Sequence, residues 1–373
     1  MASSTMNNVP IDHRSLDEIY AAAQKETGPL IIASGGDAQA QWDAFRSIFT
    51  KRFPKINLDL TVDFSKYHDC RADRAIAKGE HYADVIFLQA LHDYPRWKQE
   101  GRLLLYKPPN HKNIYPSHKD HDGAYYGAAV WSFGKFLYDN TRLEASELPK
   151  SYADLLDPKW KGKLVLTYPN DDDAVNYLFS IIIGRYGWEW LEALNKQDVQ
   201  WVRGTATPGY MIVEGRDQSK AQGKPRPKEY VADNSSRVLS FTTAGYPMQD
   251  TGLSWSNPDP PEQYMAWTQT AAIFKSTPRP ETAKLFMAFI TSEEFQTAMS
   301  GGGTQPTLDV SINRKNGVHP IDESENTQAN RYELFTNNRP LVDWFKMQFE
   351  TTLGTPQGVS PLDVYGFDDV RAL

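Results

Sequence analysis

A single cysteine, Cys70, stands in 373 residues, which excludes an intrachain disulfide and any metal site built from several thiolates. No apolar run approaches the ~18 to 20 residues that a membrane-spanning helix needs. No block of lysine and arginine occurs either. With Lys+Arg at 40 against Asp+Glu at 47, the net charge of −7 speaks against a nucleic-acid-binding surface. Catalytic signatures are missing too: no Walker loop, no G-x-S-x-G elbow, no H-E-x-x-H pair and no dinucleotide fingerprint. The first twenty residues, MASSTMNNVPIDHRSLDEIY, have no apolar core and no small-residue cleavage site. They do not read as a secretory signal, so a cytoplasmic location is expected, or a periplasmic or extracellular one if the chain is a processed form.

What is present suits a soluble α/β protein. Hydrophobic content of 40% and charged content of 23% are ordinary globular values, and the length calls for two lobes. Strand and helix patterns alternate. Ser15 to Glu26 predicts a helix with Leu16, Ile19, Tyr20 and Ala23 on one face. Strands are predicted at Pro29 to Ala33, Asn57 to Val62 and Ala83 to Gln89, with helices between them at Ala38 to Lys51 and Ala72 to Lys78. Such alternation implies a parallel sheet with right-handed crossovers, which binds ligands at the carboxyl ends of its strands. Those ends carry Ser34, Gly35 and Asp37, then Ser65 and Lys66, then Gln89.

A second strand-to-helix joint lies in Leu148 to Asp173, LPKSYADLLDPKWKGKLVLTYPNDDD. A strand from Lys163 to Tyr168 meets Pro169. Asp171, Asp172 and Asp173 then precede the apolar run of a helix predicted over Val175 to Lys196. Acidic residues there cap free N–H groups, and capping outweighs a reading as paired acid–base carboxylates. After a strand at Val199 to Val202, Arg203, Thr205 and Thr207 supply a cation and two hydroxyls at a helix start, with Tyr210 following. The pair His118 and His121 beside Asp120 and Asp122 has metal-ligating side chains, but its polar loop reads better as a solvated turn. Cys70 lacks a visible orienting partner for nucleophilic work. Gly215 to Asn234 is a polar insertion expected to be mobile.

The segment around LPKSYADLLDPKWKGKL resembles type II solute-binding proteins of the branch that contains the ferric-iron and related transport receptors. In the same order come FTKRFP (Phe49 to Pro54), Ser65-Lys66, the strand Ala83-Asp84-Val85, and Trp97 to Pro108. Pro280 to Ser292 follows, then TLGTPQGVSPLDV, which resembles fungal-type members without an export signal.

The resemblance implies a two-lobed type II periplasmic-binding-protein fold, each lobe a mostly parallel sheet flanked by helices, with a ligand cleft between lobes that closes about a hinge. The expected division is 1–131 for the first part of lobe one, 132–265 for lobe two, and 266–373 for the return plus a C-terminal helical region. Ligand contacts would come from Ser34, Gly35, Asp37, Ser65, Lys66 and Gln89, from Trp131 at the crossing, and from Tyr168, Asp171, Asp172, Arg203, Thr205, Thr207 and Tyr210. Lys66 and Arg203 would hold an anionic group, the aspartates and Gln89 a donor-bearing part, and Trp131 a ring or apolar portion.

Iron-gripping members of the family use adjacent tyrosines in the second lobe, whereas Thr205 to Tyr210 supplies one. The expected ligand is therefore a small polar, anionic or zwitterionic organic molecule. No metal, cofactor, nucleic acid or membrane insertion is expected, and a transporter permease is expected only if the chain is exported. An intracellular enzyme on the same fold, like the pyrimidine synthases of thiamine biosynthesis, remains the alternative, and ferric-iron binding the third reading.

Overall fold

A computed structural model describes residues 9–216, 236–243, 252–303, 305–320 and 329–360, together with 327 and 362. The segment 217–235 lies outside them, and with it nearly all of the predicted insertion at 215–234. In chain order the regular elements begin with α1 (Leu16–Ala23), β1 (Leu30–Gly35), α2 (Asp43–Arg52), β2 (Leu58–Asp63), α3 (Ser65–Lys78), β3 (Val85–Leu88), α4 (Asp93–Gln99) and β4 (Tyr126–Phe133). Next come β5 (Phe136–Asp139), β6 (Val165–Thr167), α5 (Asp173–Tyr186), α6 (Trp188–Asn195), β7 (Gln200–Val202), α7 (Thr207–Glu214), β8 (Leu239–Ser240) and β9 (Leu253–Ser256). The chain continues through β10 (Met265–Ile273), α8 (Pro280–Ile290), α9 (Glu293–Met299), α10 (Val310–Asn316), α11 (Ala329–Asn337) and α12 (Arg339–Leu353). It divides into two compact units, 1–36 with 42–130 and 267–324, and 37–41 with 131–266 and 325–373.

The first unit is built on a five-stranded sheet of order β2-β1-β3-β10-β4. Strand β1 runs parallel to both β2 and β3, with Ile32 opposite Leu60 on one side and Val85 on the other, while β10 runs antiparallel to β3. Parallel strands need helical crossovers that cover the sheet, so Leu30, Ile32, Val85, Ile86 and Leu88 are each fully buried. Part of the aromatic content serves packing here. Phe45, Phe49 and Phe53 from α2 and its end pack with Phe286, Phe289 and Phe295 at centroid distances of 5.4–6.3 Å. Such ring pairs are worth about 0.5–1.5 kcal/mol each beyond their buried area.

Local chemistry sets several boundaries. Ser15 and Glu18 form a capping box at the start of α1, each side chain accepting the other's backbone N–H, at 3.2 and 2.7 Å. Helix α3 begins at Ser65, seven residues before the predicted Ala72. Its buried face is Ser65, His68, Ala72 and Ala75, and the two polar members hide the helical period from a hydrophobicity pattern. The predicted long helix after Asp173 is two helices, α5 and α6, which part at Gly187 (φ 77°). Strands β4 and β5 follow one another closely. Gly134 (φ +100°) separates them because a Cβ there would stand 2.6 Å from Tyr152 Oη, whose hydroxyl donates to the Gly134 carbonyl at 3.0 Å.

The second unit holds a three-stranded antiparallel sheet β8-β5-β9 and a parallel pair β6-β7 in which Thr167 faces Val202. Leu137, Val165, Val202, Met211, Ile212 and Leu253 form an apolar core around them. Beside that core the fully buried Asp139 carboxylate ends β5. It accepts from Thr141 N–H and Oγ1 at 2.9 and 2.6 Å, from Arg142 Nε at 2.5 Å, and from Arg216 Nε and Nη2 at 2.7 and 2.8 Å. Burial alone would raise its pKa; Arg216, Thr141 and Arg142 outweigh burial and hold it down at about 2.

Because the folded pKa lies below the ordinary value near 3.9, this carboxylate's stabilisation is complete above pH ~4 and is lost as pH falls through about 2. Asp139→Asn is expected to cost on the order of 3 kcal/mol at pH 7, since two guanidinium groups lose their counter-charge. Urea unfolding of parent and variant at pH 7 and near pH 2 checks this: the gap narrows at low pH, and equal midpoints at pH 7 would refute the network's role.

Candidate functional site

In the first unit the carboxyl ends of β1, β2 and β3 bring together Ser34, Gly35, Ser65, Lys66 and Gln89. Ser34 is fully buried, and its Oγ has no hydrogen-bond partner among the described residues. The Gly35 carbonyl accepts from Gln269 Nε2 at 2.8 Å, and the same amide nitrogen donates to the Phe87 carbonyl at 2.9 Å. A side chain at Gly35 has no room: a Cβ would lie 2.2 Å from Ser65 Oγ and 3.4 Å from Leu88 Cα. Ser65 opens α3 and accepts the Gln89 N–H at 3.1 Å. Lys66 extends its ammonium over the rings of Phe64 and Tyr67 at 5.4 and 5.7 Å. One turn into the helix, His68 is 1% exposed with Nδ1 2.6 Å from Tyr82 Oη. Burial pushes its pKa down to about 4, so the ring is neutral at pH 7.

In the second unit the carboxyl ends of β6 and β7 carry Tyr168, Asp171, Asp172, Arg203, Thr205, Thr207 and Tyr210. Asp37 belongs here, not with the first-lobe set in which the sequence reading placed it. Its Oδ2 accepts the Thr205 N–H, Thr205 Oγ1–H at 2.9 Å and the Ala206 N–H at 3.0 Å. The residues that open α7 thus surround a carboxylate oxygen, as the free N–H groups and positive end of a helix favour. Asp37 is 8% exposed, and burial pushes its pKa above the ordinary range despite those donors.

Arg203 pairs with Asp171, its Nε and Nη2 standing 3.2–3.3 Å from the carboxylate oxygens. Thr207 is fully buried and donates to the Arg203 carbonyl at 2.8 Å. The three consecutive aspartates have separate partners. Asp172 caps α5 by accepting the N–H groups of Ala174 and Val175 at 2.8 and 3.0 Å. Asp173 meets Arg339 and Lys346 at 2.5 and 2.6 Å. Tyr168 packs its ring 5.8 Å from that of Trp201, and burial raises its phenol pKa. Tyr210 is half-buried in the first turn of α7, and the half-buried Trp131, in β4, is where the second unit's main span starts.

The loop of His118 and His121 is a braced turn in which Lys98 Nζ sits 2.6 Å from Asp120 and 2.8 Å from Asp122, with His121 92% exposed. Sequence reasoning passed over Gln269. Gln269 carries a weak signal, an amide inside the otherwise apolar and hydroxyl-bearing strand MAWTQTAAI. Accommodating a methyl group at Gly35 requires Ser65 Oγ to leave the Gln89 N–H. Gly35→Ala should therefore cost about 1–3 kcal/mol. Adding Ser65→Ala removes the clashing atom, so the double variant should recover part of that loss. Thermal melts of both single variants and the double test the coupling, and strict additivity would contradict it.

No curated protein sequence matches the chain. Solved structures share its fold. The substrate-binding protein of an ABC transporter from Agrobacterium tumefaciens is 13% identical, covers 88% of this chain and 95% of its own, and superposes with a TM-score of 0.66. Iron-bound HitA from Pseudomonas aeruginosa is 17% identical over 86% of this chain and 99% of its own, with a TM-score of 0.61. AfuA from Actinobacillus pleuropneumoniae, with exogenous fructose-6-phosphate bound, is 15% identical over 88% and 99%, with a TM-score of 0.58. These are periplasmic binding proteins in the two-lobed type II fold that the mixed α/β units of this chain share. The model of the family described as bacterial extracellular solute-binding protein matches residues 82–325, more than half of the sequence, and this chain belongs to that family.

Proposed function

We propose that this solute-binding protein takes a small organic anion, and that the amino terminus of α7 is the cradle for its charged group. One observation carries the reading: two backbone N–H groups and a hydroxyl, from Thr205 and Ala206, converge on a single carboxylate oxygen, that of Asp37. Backbone N–H groups cannot ligate a cation, so this donor set favours a carboxylate or phosphate oxygen over a bare metal ion. Asp37 then holds the place that a ligand oxygen takes. The sugar phosphate in AfuA is of this chemical class, while the iron in HitA is the competing precedent. An ABC-transporter permease is the partner that family membership implies. That partner applies only if the chain is exported; a cytoplasmic site of action is the reading proposed here, the exposed free thiol of Cys70 suits a reducing compartment, and fractionation of expressing cells checks it.

Calorimetry with a panel of small metabolites tests the ligand class. Carboxylates or phosphate esters should bind more tightly than neutral sugars or polyamines. Asp37→Ala empties the cradle and should tighten anion binding at least about tenfold, or 1.4 kcal/mol, while Asp37→Asn, which keeps the shape, should gain less. Preference for neutral or cationic solutes, or an unchanged anion affinity in a folded Asp37→Ala variant, would overturn the reading.

A further inference from the structure

We propose that Asp69, His92 and Asp93, all in the first unit, form a binding site for a divalent transition-metal ion. Asp69 lies on α3, His92 immediately precedes α4, and Asp93 is the first residue of α4. One ligating atom from each lies within 4.8 Å of the others. Modest side-chain rotation closes such a span onto an ion held at about 2.0–2.2 Å from each donor.

The independent observation is Asp93. It is 3% exposed, and its Oδ2 has no hydrogen-bond partner among the described residues. Its other oxygen, Oδ1, accepts Arg96 Nη2 at 2.6 Å, so Arg96 compensates one side of the carboxylate and leaves the other. Arg96 is itself shared with Asp73, at 3.1 and 2.8 Å. On Asp69, Oδ1 takes the Cys70 N–H. His92 Nε2 stands 3.7 Å from Asp93 Oδ2. A buried acceptor beside a second carboxylate and an imidazole calls for a cation.

One imidazole and two carboxylates make a mixed nitrogen and oxygen set. It suits a borderline ion such as Zn2+ or Mn2+ better than Ca2+, which takes oxygen ligands, or Cu+, which takes sulfur. Three protein ligands leave positions for water. A bound ion would tie α3 to α4 and so brace Ser65 and Gln89 at the ends of β2 and β3. The site shares no residue with the α7 cradle, so the two proposals fail independently.

Untagged, chelator-treated full-length protein, titrated separately with ZnCl2 and MnCl2 by calorimetry, tests the site. One equivalent of at least one ion should bind with a Kd of about 10 μM or tighter and raise the melting temperature. Asp69→Asn and His92→Gln should each weaken binding by at least the 10- to 100-fold that loss of an outer-shell partner costs, with metal-free melts close to the parent's. Asp93→Asn also disturbs Arg96, so the test rests on the other two. Absence of one-equivalent binding by both ions, or binding that survives in both variants, overturns the proposal.

Discussion

The Asp84 carboxylate is the interaction on which the first unit depends. It is fully buried at the amino end of β3 and accepts the Ile31 N–H at 2.8 Å, Thr277 Oγ1 at 2.6 Å and the Arg279 guanidinium at 2.9–3.1 Å. Its own N–H donates to the Ile31 carbonyl, and its carbonyl accepts the Phe274 N–H. One residue thereby joins β1, β3 and the chain leaving β10. An uncompensated charge there is costly enough that the register of all three is linked to one ion pair. The same logic recurs in the second unit, where Asp139 gathers Arg142 and Arg216. Arg142 carries the link onward to the Ile212 and Arg237 carbonyls at 2.8 Å.

With register held at the amino end, the carboxyl ends are free to carry unusual chemistry. Ser34 keeps a buried hydroxyl without a partner among the described residues, and Gly35 leaves the space that Ser65 Oγ fills. Gln269 then donates from one amide nitrogen to the carbonyls of Gly35 in β1 and Phe87 in β3. These are local departures from ideal packing at the strand ends, carried by the sheet beneath them.

Aspartate is the working residue of both units, and its environment decides its role. Asp172 offers its oxygen to helix N–H groups, Asp171 to a guanidinium, and Asp37 to the start of α7. Their physical consequences differ. Asp139 is held down by its arginines, whereas Asp37, with N–H and hydroxyl donors but no arginine among the named contacts, is raised by burial. A family of solute receptors with one fold and several ligand classes needs this kind of independence, because changing one loop changes the charge offered without disturbing the sheet.

What the sequence determined by itself is local. Period and composition place β1, β2, β3, β6 and β7 and most helices, Ser15 and Glu18 announce a cap, and the WKGK and ADV segments carry the family resemblance. Each of these signals depends on neighbours within a few residues. Only the tertiary structure decided the partnerships: Asp37 with Thr205 across 168 positions, Gln269 with Gly35 across 234, and Asp69 of α3 beside His92 and Asp93 at the start of α4. It also decided where α3 starts, since a helix whose buried face includes Ser65 and His68 has no apolar stripe to read. The reason is common to all of them. A polar side chain's role is set by which opposite group the folded topology delivers to it, and nothing in its own stretch of sequence encodes that group.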